Sequence, residues 1–335
     1  MALLKKLIVT GAVLSVAAVG GFQWWAGQPI TPAGSPVIPF AVAQGSGVAG
    51  AAQQMASAGV PVNGFLFGVL ARVTGKASQI KAGSYELKPD TTPRRLIIQL
   101  VRGEFAQESL TIIEGWTFRQ MRQAVDGAPN LKHETARLSD KELLAKVAED
   151  GKYTAPEGLF FPDTYLFAKN SSDLQIFKQA HEMMMKRLKA AWEKREPNLP
   201  YTDPYQALIM ASLVEKETGQ KSERAMIAGV FVNRLKAGML LQTDPTVIYG
   251  MGDKYDGKIR KKDLETDTPY NTYTRAGLPP TPIALPGVAS LAAALTPAKT
   301  EALYFVSRGD GTSHFSVSLN EHNKAVNQYQ RQGSR

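Results

Sequence analysis

The chain has 335 residues, 39 Lys+Arg against 30 Asp+Glu for a net charge of +9, and no cysteine. At roughly 100–200 residues per domain this allows two or three domains, and 44% hydrophobic with 21% charged residues excludes both a disordered chain and a polytopic membrane protein. The missing cysteines exclude disulfides, thiolate zinc sites, iron–sulfur clusters and a cysteine nucleophile, while the positive charge fits an anionic partner without choosing among nucleic acid, lipid and acidic polymer.

Residues Leu7 to Ala26 form an apolar run interrupted only by Thr10, Ser15 and Gln23. About twenty helical residues at ~1.5 Å each span a ~30 Å hydrocarbon core. Lys5 and Lys6 precede the run and Trp24-Trp25 close it, so the positive-inside bias predicts a cytoplasmic tail 1–6, an anchor 7–26 and an exported body. A cleaved signal peptide is the competing reading, through the small-x-small triplet Ala41-Val42-Ala43, but that triplet lies far beyond the apolar run. Outside the cytoplasm, a cysteine-free body avoids mispaired thiols. Export also weakens a nucleic-acid partner, and no helix-turn-helix or arginine/aromatic pattern restores one.

After a linker with Pro29, Pro32, Gly34 and Pro36, residues 37–42 read as a strand, Ser46 as the cap of an Ala-rich helix to about Ala58, 64–73 as a helix and 84–87 as a strand. This strand–helix–helix–strand pattern resembles a LysM module, and linker and module together occupy 27–107. Thr92 caps a helix that starts at Pro93 and ends at Gly103.

A second αβ stretch begins with a strand at 109–113 and a helix 118–125 capped by Thr117. From Leu174, apolar residues at three- and four-residue steps predict a long amphipathic helix, with its methionines as core filler and His181 packed against it rather than binding metal. Asp203-Pro204 opens the next helix, with Gln206 as capping-box partner, and Gly219 stops it. Ser222 caps another, running from Glu223 to about Ala237. The short joint between these antiparallel helices brings Glu217 and Glu223 to one corner. Glu215 and Glu217 lie about 200° apart around the axis, so at most one is expected to face inward. Glu217 continues the apolar stripe of Met210 and Val214, whereas Glu215 continues the mixed face of Leu208 and Ser212. A buried carboxyl at a helix C-terminus stays protonated to higher pH, as a general acid requires. A frayed, solvated Glu-Lys-Glu end remains the alternative on spacing alone, and Glu223 has its own plain role in meeting a helix N-terminus.

The block Ala211-Ser212-Leu213-Val214-Glu215-Lys216-Glu217-Thr218 resembles the signature of the YceG-like (MltG-type) endolytic murein transglycosylases. So do the segment 241–250, Tyr270-Asn271-Thr272-Tyr273, Gly277-Leu278-Pro279-Pro280, Ala284-Leu285-Pro286-Gly287 and the upstream block 157–165; in order, these cover about residues 80–325. The resemblance implies cleavage of the MurNAc–GlcNAc β-1,4 bond within peptidoglycan strands, leaving 1,6-anhydro-MurNAc ends. It implies a single catalytic glutamate, the second of the pair, here Glu217. That residue would protonate the glycosidic oxygen and then take the proton of the muramyl C6 hydroxyl, so no second carboxylate is needed. It also implies a role beside wall synthases, in terminating glycan elongation.

Gln242, Asp244 and Thr246, on a loop held by Pro245, and Tyr270, Asn271 and Tyr273 offer donors, acceptors and amphipathic rings suited to sugars; each also has a plain role as turn former or core tyrosine. Glu223 joins them as a substrate-binding candidate. A hairpin is expected from Leu303–Ser307 and His314–Ser318 around the Arg308–Thr312 turn; His314 and His322 either line the cleft or, as preferred, make structural hydrogen bonds. No metal-ligand spacing, nucleotide-binding glycine loop or Ser/His/Asp arrangement occurs, so neither metal nor cofactor is expected. The fold class expected is α+β: one N-terminal transmembrane helix, a LysM-like βααβ module, and a mainly helical, lysozyme-like catalytic domain at 108–335, with its core at 201–335 and a small antiparallel sheet. The expected setting is the inner membrane, single-pass, with the catalytic domain in the periplasm. The rivals are a hydrolytic muramidase and a non-catalytic wall-binding scaffold.

Overall fold

The computed structural model describes residues 2–148 and 151–331; Met1 of the expected tail and 332–335 of the expected catalytic region lie outside the described residues. In chain order the elements are α1 (Ala2–Gly27), β1 (Ile38–Val42), α2 (Val48–Ser57), α3 (Gly64–Val73), β2 (Gly83–Leu87), α4 (Pro93–Arg102), β3 (Gln107–Thr111), α5 (Phe118–Asp126), β4 (Leu131–Lys132), α6 (Asp140–Val147), β5 (Thr164–Ala168), β6 (Ser171–Ser172) and α7 (Asp173–Glu193). They continue with α8 (Pro204–Glu217), α9 (Arg224–Lys236), α10 (Asp244–Met251), α11 (Lys261–Glu265), α12 (Val288–Leu295), β7 (Tyr304–Ser307), β8 (Ser313–Ser316) and α13 (Leu319–Val326). The chain divides into two compact units: one up to Glu108 together with Leu166–Ser171, the other Ser109–Tyr165 with the chain from Ser172 onward.

In the first unit β1 and β2 pair antiparallel, Phe40 opposite Tyr85, with α2 and α3 in the connection. This is the expected βααβ order. Phe40 stacks on Tyr85 at 5.5 Å between ring centroids, over a core of Met55, Phe67, Leu70, Leu87, Leu96 and Leu100. Ser46 does not cap α2: Gly47 is the N-cap, and the Ser46 hydroxyl instead meets the Gln54 side chain. The helix α4 starts as the sequence requires, with the Thr92 side chain accepting from Arg95 N–H and Gly103 closing it in the left-handed region. α1 is apolar enough over Leu4–Gly27 to cross a membrane. Its side chains Ile8, Val13, Leu14, Val16 and Val19 are exposed, but in its last turn Ala26 is fully buried, and Phe22 and Trp25 pack against the unit's core.

The second unit is built around α8, whose residues Ala207 to Val214 are all buried, enclosed by α7, α9, α10 and α12. Its N-terminus is fixed by Asp203, whose carboxylate accepts from the N–H groups of Tyr205 and Gln206 at 2.8 and 3.1 Å; the Gln206 side chain accepts from Thr202 N–H rather than closing a box on Asp203. Ser222 does not cap α9 either, because a one-turn 3-10 helix, Lys221–Glu223, occupies that joint. α5 carries the Thr117–Gln120 capping box. β7 and β8 form the expected hairpin, Phe305 opposite Phe315.

The block 157–165 is wedged against the proline-rich segment. Gly158 has φ +77, and a Cβ there would lie 2.4 Å from Pro282 Cβ. Gly158→Ala is expected to destabilise this unit by at least the ~1–2 kcal/mol of a left-handed alanine, with the clash added; a thermal melt equal to wild type would contradict this packing.

Candidate active site

Glu217 is the last residue of α8 and lines a cavity of about 900 Å³. Its walls come from the chain around Gln242 and Asp244, from Tyr273, from the β7–β8 hairpin and from α13. Burial, the largest effect, pushes the Glu217 carboxyl above its ordinary range, and the Asp244 charge pushes the same way; the Thr243 hydroxyl and, more weakly, the Arg234 charge oppose them. The C-terminal end of the α8 dipole adds to the upward push.

The Thr243 hydroxyl donates to Glu217 Oε2 at 2.5 Å. Thr243 is itself held from three sides. Its N–H donates to Thr272 Oγ1 at 3.1 Å, its carbonyl accepts from the Thr246 hydroxyl at 2.7 Å, and the Thr246 and Thr272 hydroxyls meet at 2.9 Å. Gln242 enters this arrangement with φ +51, a left-handed conformation that a non-glycine residue adopts only when its surroundings impose it. The segment expected to be a loop is in fact the start of α10. Pro245 sits in its first turn, where a backbone N–H would have no helical partner, so the proline is accommodated rather than breaking the element.

The sequence-derived site residues separate into two groups. Gln242, Asp244 and Tyr273 line the cavity with Glu217, and the Tyr273 hydroxyl donates to Asp244 Oδ1 at 2.5 Å. Thr246, Asn271, Tyr270 and Glu223 are placed behind it. Asn271 is fully buried and donates to the carbonyls of Leu264 and Thr266 at 3.0 and 2.7 Å. The Tyr270 hydroxyl meets that of Thr281 at 2.9 Å. Both carboxylate oxygens of Glu223 are taken by Ser313, from its N–H at 2.7 Å and its hydroxyl at 2.8 Å, which ties the hairpin to the α8–α9 joint.

Glu215 corrects the expectation that only one glutamate of the pair faces inward. Its side chain is 4% exposed and forms an ion pair of 2.9 Å with Arg224, itself 6% exposed, while its other oxygen accepts from Gly287 N–H at 3.0 Å. The facial argument presumed a solvated side to α8, and the fold leaves none along its middle. Glu157 is a further buried carboxylate. It accepts from Phe118 N–H at 2.9 Å and from the Tyr249 hydroxyl at 3.0 Å, and burial raises its pKa to about 7.

Among the lining residues absent from the sequence-derived binding set are Arg234 and His322. Arg234, on α9, is 8% exposed. Its Nε donates to Leu303 O at 2.6 Å, and its Nη1 to Leu240 O and Leu241 O at 3.1 and 3.0 Å. His322 lines the cavity too, and its Nδ1 has no hydrogen-bond partner, against the structural bond expected for it. Asp126, His133 and Asp173 are near enough to share a cation. However, Asp173 is saturated by the N–H groups of Glu134 and Thr135 and by the Thr135 hydroxyl, and none of the three lines the cavity of Glu217.

Known proteins with similar sequences and folds fall in one family. An endolytic murein transglycosylase of Bacillus subtilis (strain 168) is 36% identical over 270 residues, which cover 76% of this chain and 74% of that protein. One from Streptococcus pneumoniae (strain ATCC BAA-255 / R6) is 26% identical over 355 residues, covering 96% of this chain and 64% of its own length. A crystal structure of a YceG-like protein from Listeria monocytogenes superposes with a TM-score of 0.54 at 29% identity, covering 86% of this chain and 98% of that one. The model of the YceG-like family matches residues 40–328, and the chain belongs to that family.

Proposed function

We propose that this protein is an endolytic peptidoglycan lytic transglycosylase, a lyase, and that Glu217 alone performs its acid–base chemistry. The observation that carries the reading is a buried carboxyl lining a polar cavity, where burial raises its pKa and favours the protonated form. In that state it donates its proton to the glycosidic oxygen as the MurNAc–GlcNAc bond breaks. The resulting carboxylate, stabilised by the Thr243 hydroxyl, then accepts the proton of the muramyl C6 hydroxyl as that oxygen closes on C1. One proton leaves Glu217 and one returns, so no water and no second carboxylate take part. Gln242, Asp244 and Tyr273 hold the sugar, while Glu223, Thr246, Tyr270 and Asn271 hold the walls that present them. The names of the similar transglycosylases support the reaction class. An internal attack predicts mid-length oligosaccharides early in digestion of purified strands; release of disaccharides alone from strand ends would refute endolytic action.

Removal of the Thr243 hydroxyl tests the proton chemistry. Because that bond favours the ionised form, Thr243→Val should raise the Glu217 pKa further and move the alkaline limb of the rate profile to higher pH. A limb unmoved or shifted to lower pH would show that another group titrates.

The N-terminal helix supports a single-pass anchor in the inner membrane with the body in the periplasm. Cleavage after Ala43 would remove β1, the partner of β2, and the buried last turn of α1 as well, so the signal-peptide alternative would break the first unit's core. We assign that unit to a LysM-like role on the wall and the second to a lysozyme-like one, with wall synthases as partners in ending glycan elongation.

A further inference from the structure

Cleavage by Glu217 leaves one charge in the cavity without a task. The Arg234 guanidinium is withdrawn from solvent, yet among the described residues no carboxylate lies within ion-pair distance of it. Its Nε and Nη1 are committed to the carbonyls of Leu303, Leu240 and Leu241, and Nη1 also to Gln242 Oε1 at 3.3 Å. Nη2 makes no hydrogen bond with any described residue. The guanidinium lies over the Tyr304 ring, 5.1 Å from its centroid, and His322 stacks on the same ring at 5.2 Å. Both residues line the cavity, and the buried Nδ1 of His322 has no hydrogen-bond partner.

A buried cation normally has a counter-charge, because desolvation is otherwise uncompensated. A structural arginine that only braces carbonyls would not require a free edge at the substrate cavity. We propose that Arg234 and His322 form a subsite for a carboxylate carried by the glycan substrate, beside the bond that Glu217 cleaves. A carboxylate accepting from the free Nη2 balances the guanidinium charge with a charge-assisted hydrogen bond, whereas a neutral sugar hydroxyl would leave the cation unbalanced. The acidic wall at Glu217 and Asp244 and the basic corner at Arg234 and His322 thus give the cavity a polarity that orients an acidic sugar. The carboxylate is either that of the lactyl ether or one on the attached peptide; both present the same chemistry.

His322 reports on occupancy. Burial, with the charges of Arg234 and His314, holds its pKa below the ordinary imidazole range, and a bound carboxylate reverses the electrostatic effect and raises it. The identity of the glycan rests on the transglycosylase reading, but the test does not use turnover. The full chain carrying Glu217→Gln is titrated in detergent by NMR, with the His322 resonance assigned by His322→Gln. The probes are N-acetylmuramic acid, muramyl dipeptide, whose lactyl carboxyl is an amide, and N-acetylglucosamine, which has no carboxylate. The expected result is a raised His322 pKa with at least one of the two acids and none with N-acetylglucosamine. Arg234→Lys, which keeps the charge but loses Nη2 and the carbonyl contacts that hold it in place, should weaken that acid roughly tenfold or more. A response to N-acetylmuramic acid alone assigns the lactyl carboxylate, and a response to muramyl dipeptide alone assigns the peptide. No shift with either acid, an equal shift with N-acetylglucosamine, or unchanged affinity in a folded Arg234→Lys protein would overturn the subsite. Failure of the cleavage reading would show separately, as glycan cleavage retained by Glu217→Gln.

Discussion

Glu217→Gln should lose glycan cleavage by about 10²–10⁴-fold or more while the protein stays folded, since general acid–base catalysis contributes that much and the other carboxylate lining the cavity, Asp244, is engaged by the Tyr273 hydroxyl. The amide keeps the shape of the carboxyl and can still accept from the Thr243 hydroxyl. The same substitution should stabilise the fold near neutral pH. A carboxyl whose folded pKa is raised binds its proton more tightly in the folded state than in the unfolded one. Stability is therefore lost as pH rises from the unfolded value through the raised folded value, and Gln removes that loss. Melting temperatures at pH 4.5 and 7.5 measure it: the variant should gain on wild type at the higher pH. Equal activity in the variant would instead remove the catalytic assignment of Glu217, and no cleavage by the wild type would leave a non-catalytic wall-binding scaffold as the better reading.

Glu215→Gln is expected to do the opposite, lowering stability by about 3–5 kcal/mol because Arg224 would remain buried without its counter-charge. Arg224 already has Nε and Nη1 without partners, so nothing nearby substitutes for the lost carboxylate. The double variant Glu215→Gln/Arg224→Met should recover a large part of that loss, since no lone charge then remains. The folded fraction of Glu215→Gln should keep much of its activity per molecule. Denaturant unfolding beside specific activity separates the two glutamates: one variant stable and inactive, the other unstable and active. A stable, inactive Glu215→Gln would mean that the catalytic role had been given to the wrong member of the pair.

Local rules carried the sequence reading furthest. Thr92 before Pro93, Thr117 before a helix with Gln120, and Asp203-Pro204 all start helices where capping chemistry requires them. Where a start depended on the wider fold, local reading fell short. Pro245 looks like a loop residue until Thr243, Thr246 and Thr272 are seen to lock the chain into the first turn of α10. Ser222 is a good cap in isolation, but the bonds from Glu223 to Ser313, ninety residues on, hold that joint in a tighter turn. The helices α6 and α12 were not anticipated, although Ser139 with Glu142 forms a capping box that was there to be found.

The site was legible in the same measure. The resemblance and the apolar stripe both point to Glu217, and the structure puts that residue at a cavity. The stripe argument still rested on a wrong premise, since α8 is enclosed on every side along its middle and Glu215 is buried as well. Arg234 reads as an ordinary surface residue near a helix end. Only the carbonyls of Leu240, Leu241 and Leu303, two of them on a turn and one far along the chain, draw it inside. The net charge of +9 fits an acidic wall polymer as substrate, and the proposed Arg234 subsite would give that general charge one specific place to act.

The most direct measurement of the central claim is mass spectrometry of the new ends formed when the full chain digests purified glycan strands. Intramolecular closure predicts 1,6-anhydro-muramyl ends, lighter by one water than the hydrolytic product and absent when Glu217→Gln replaces the wild type. Reducing muramic acid ends, carrying oxygen from labelled water, would contradict it and identify a hydrolase instead.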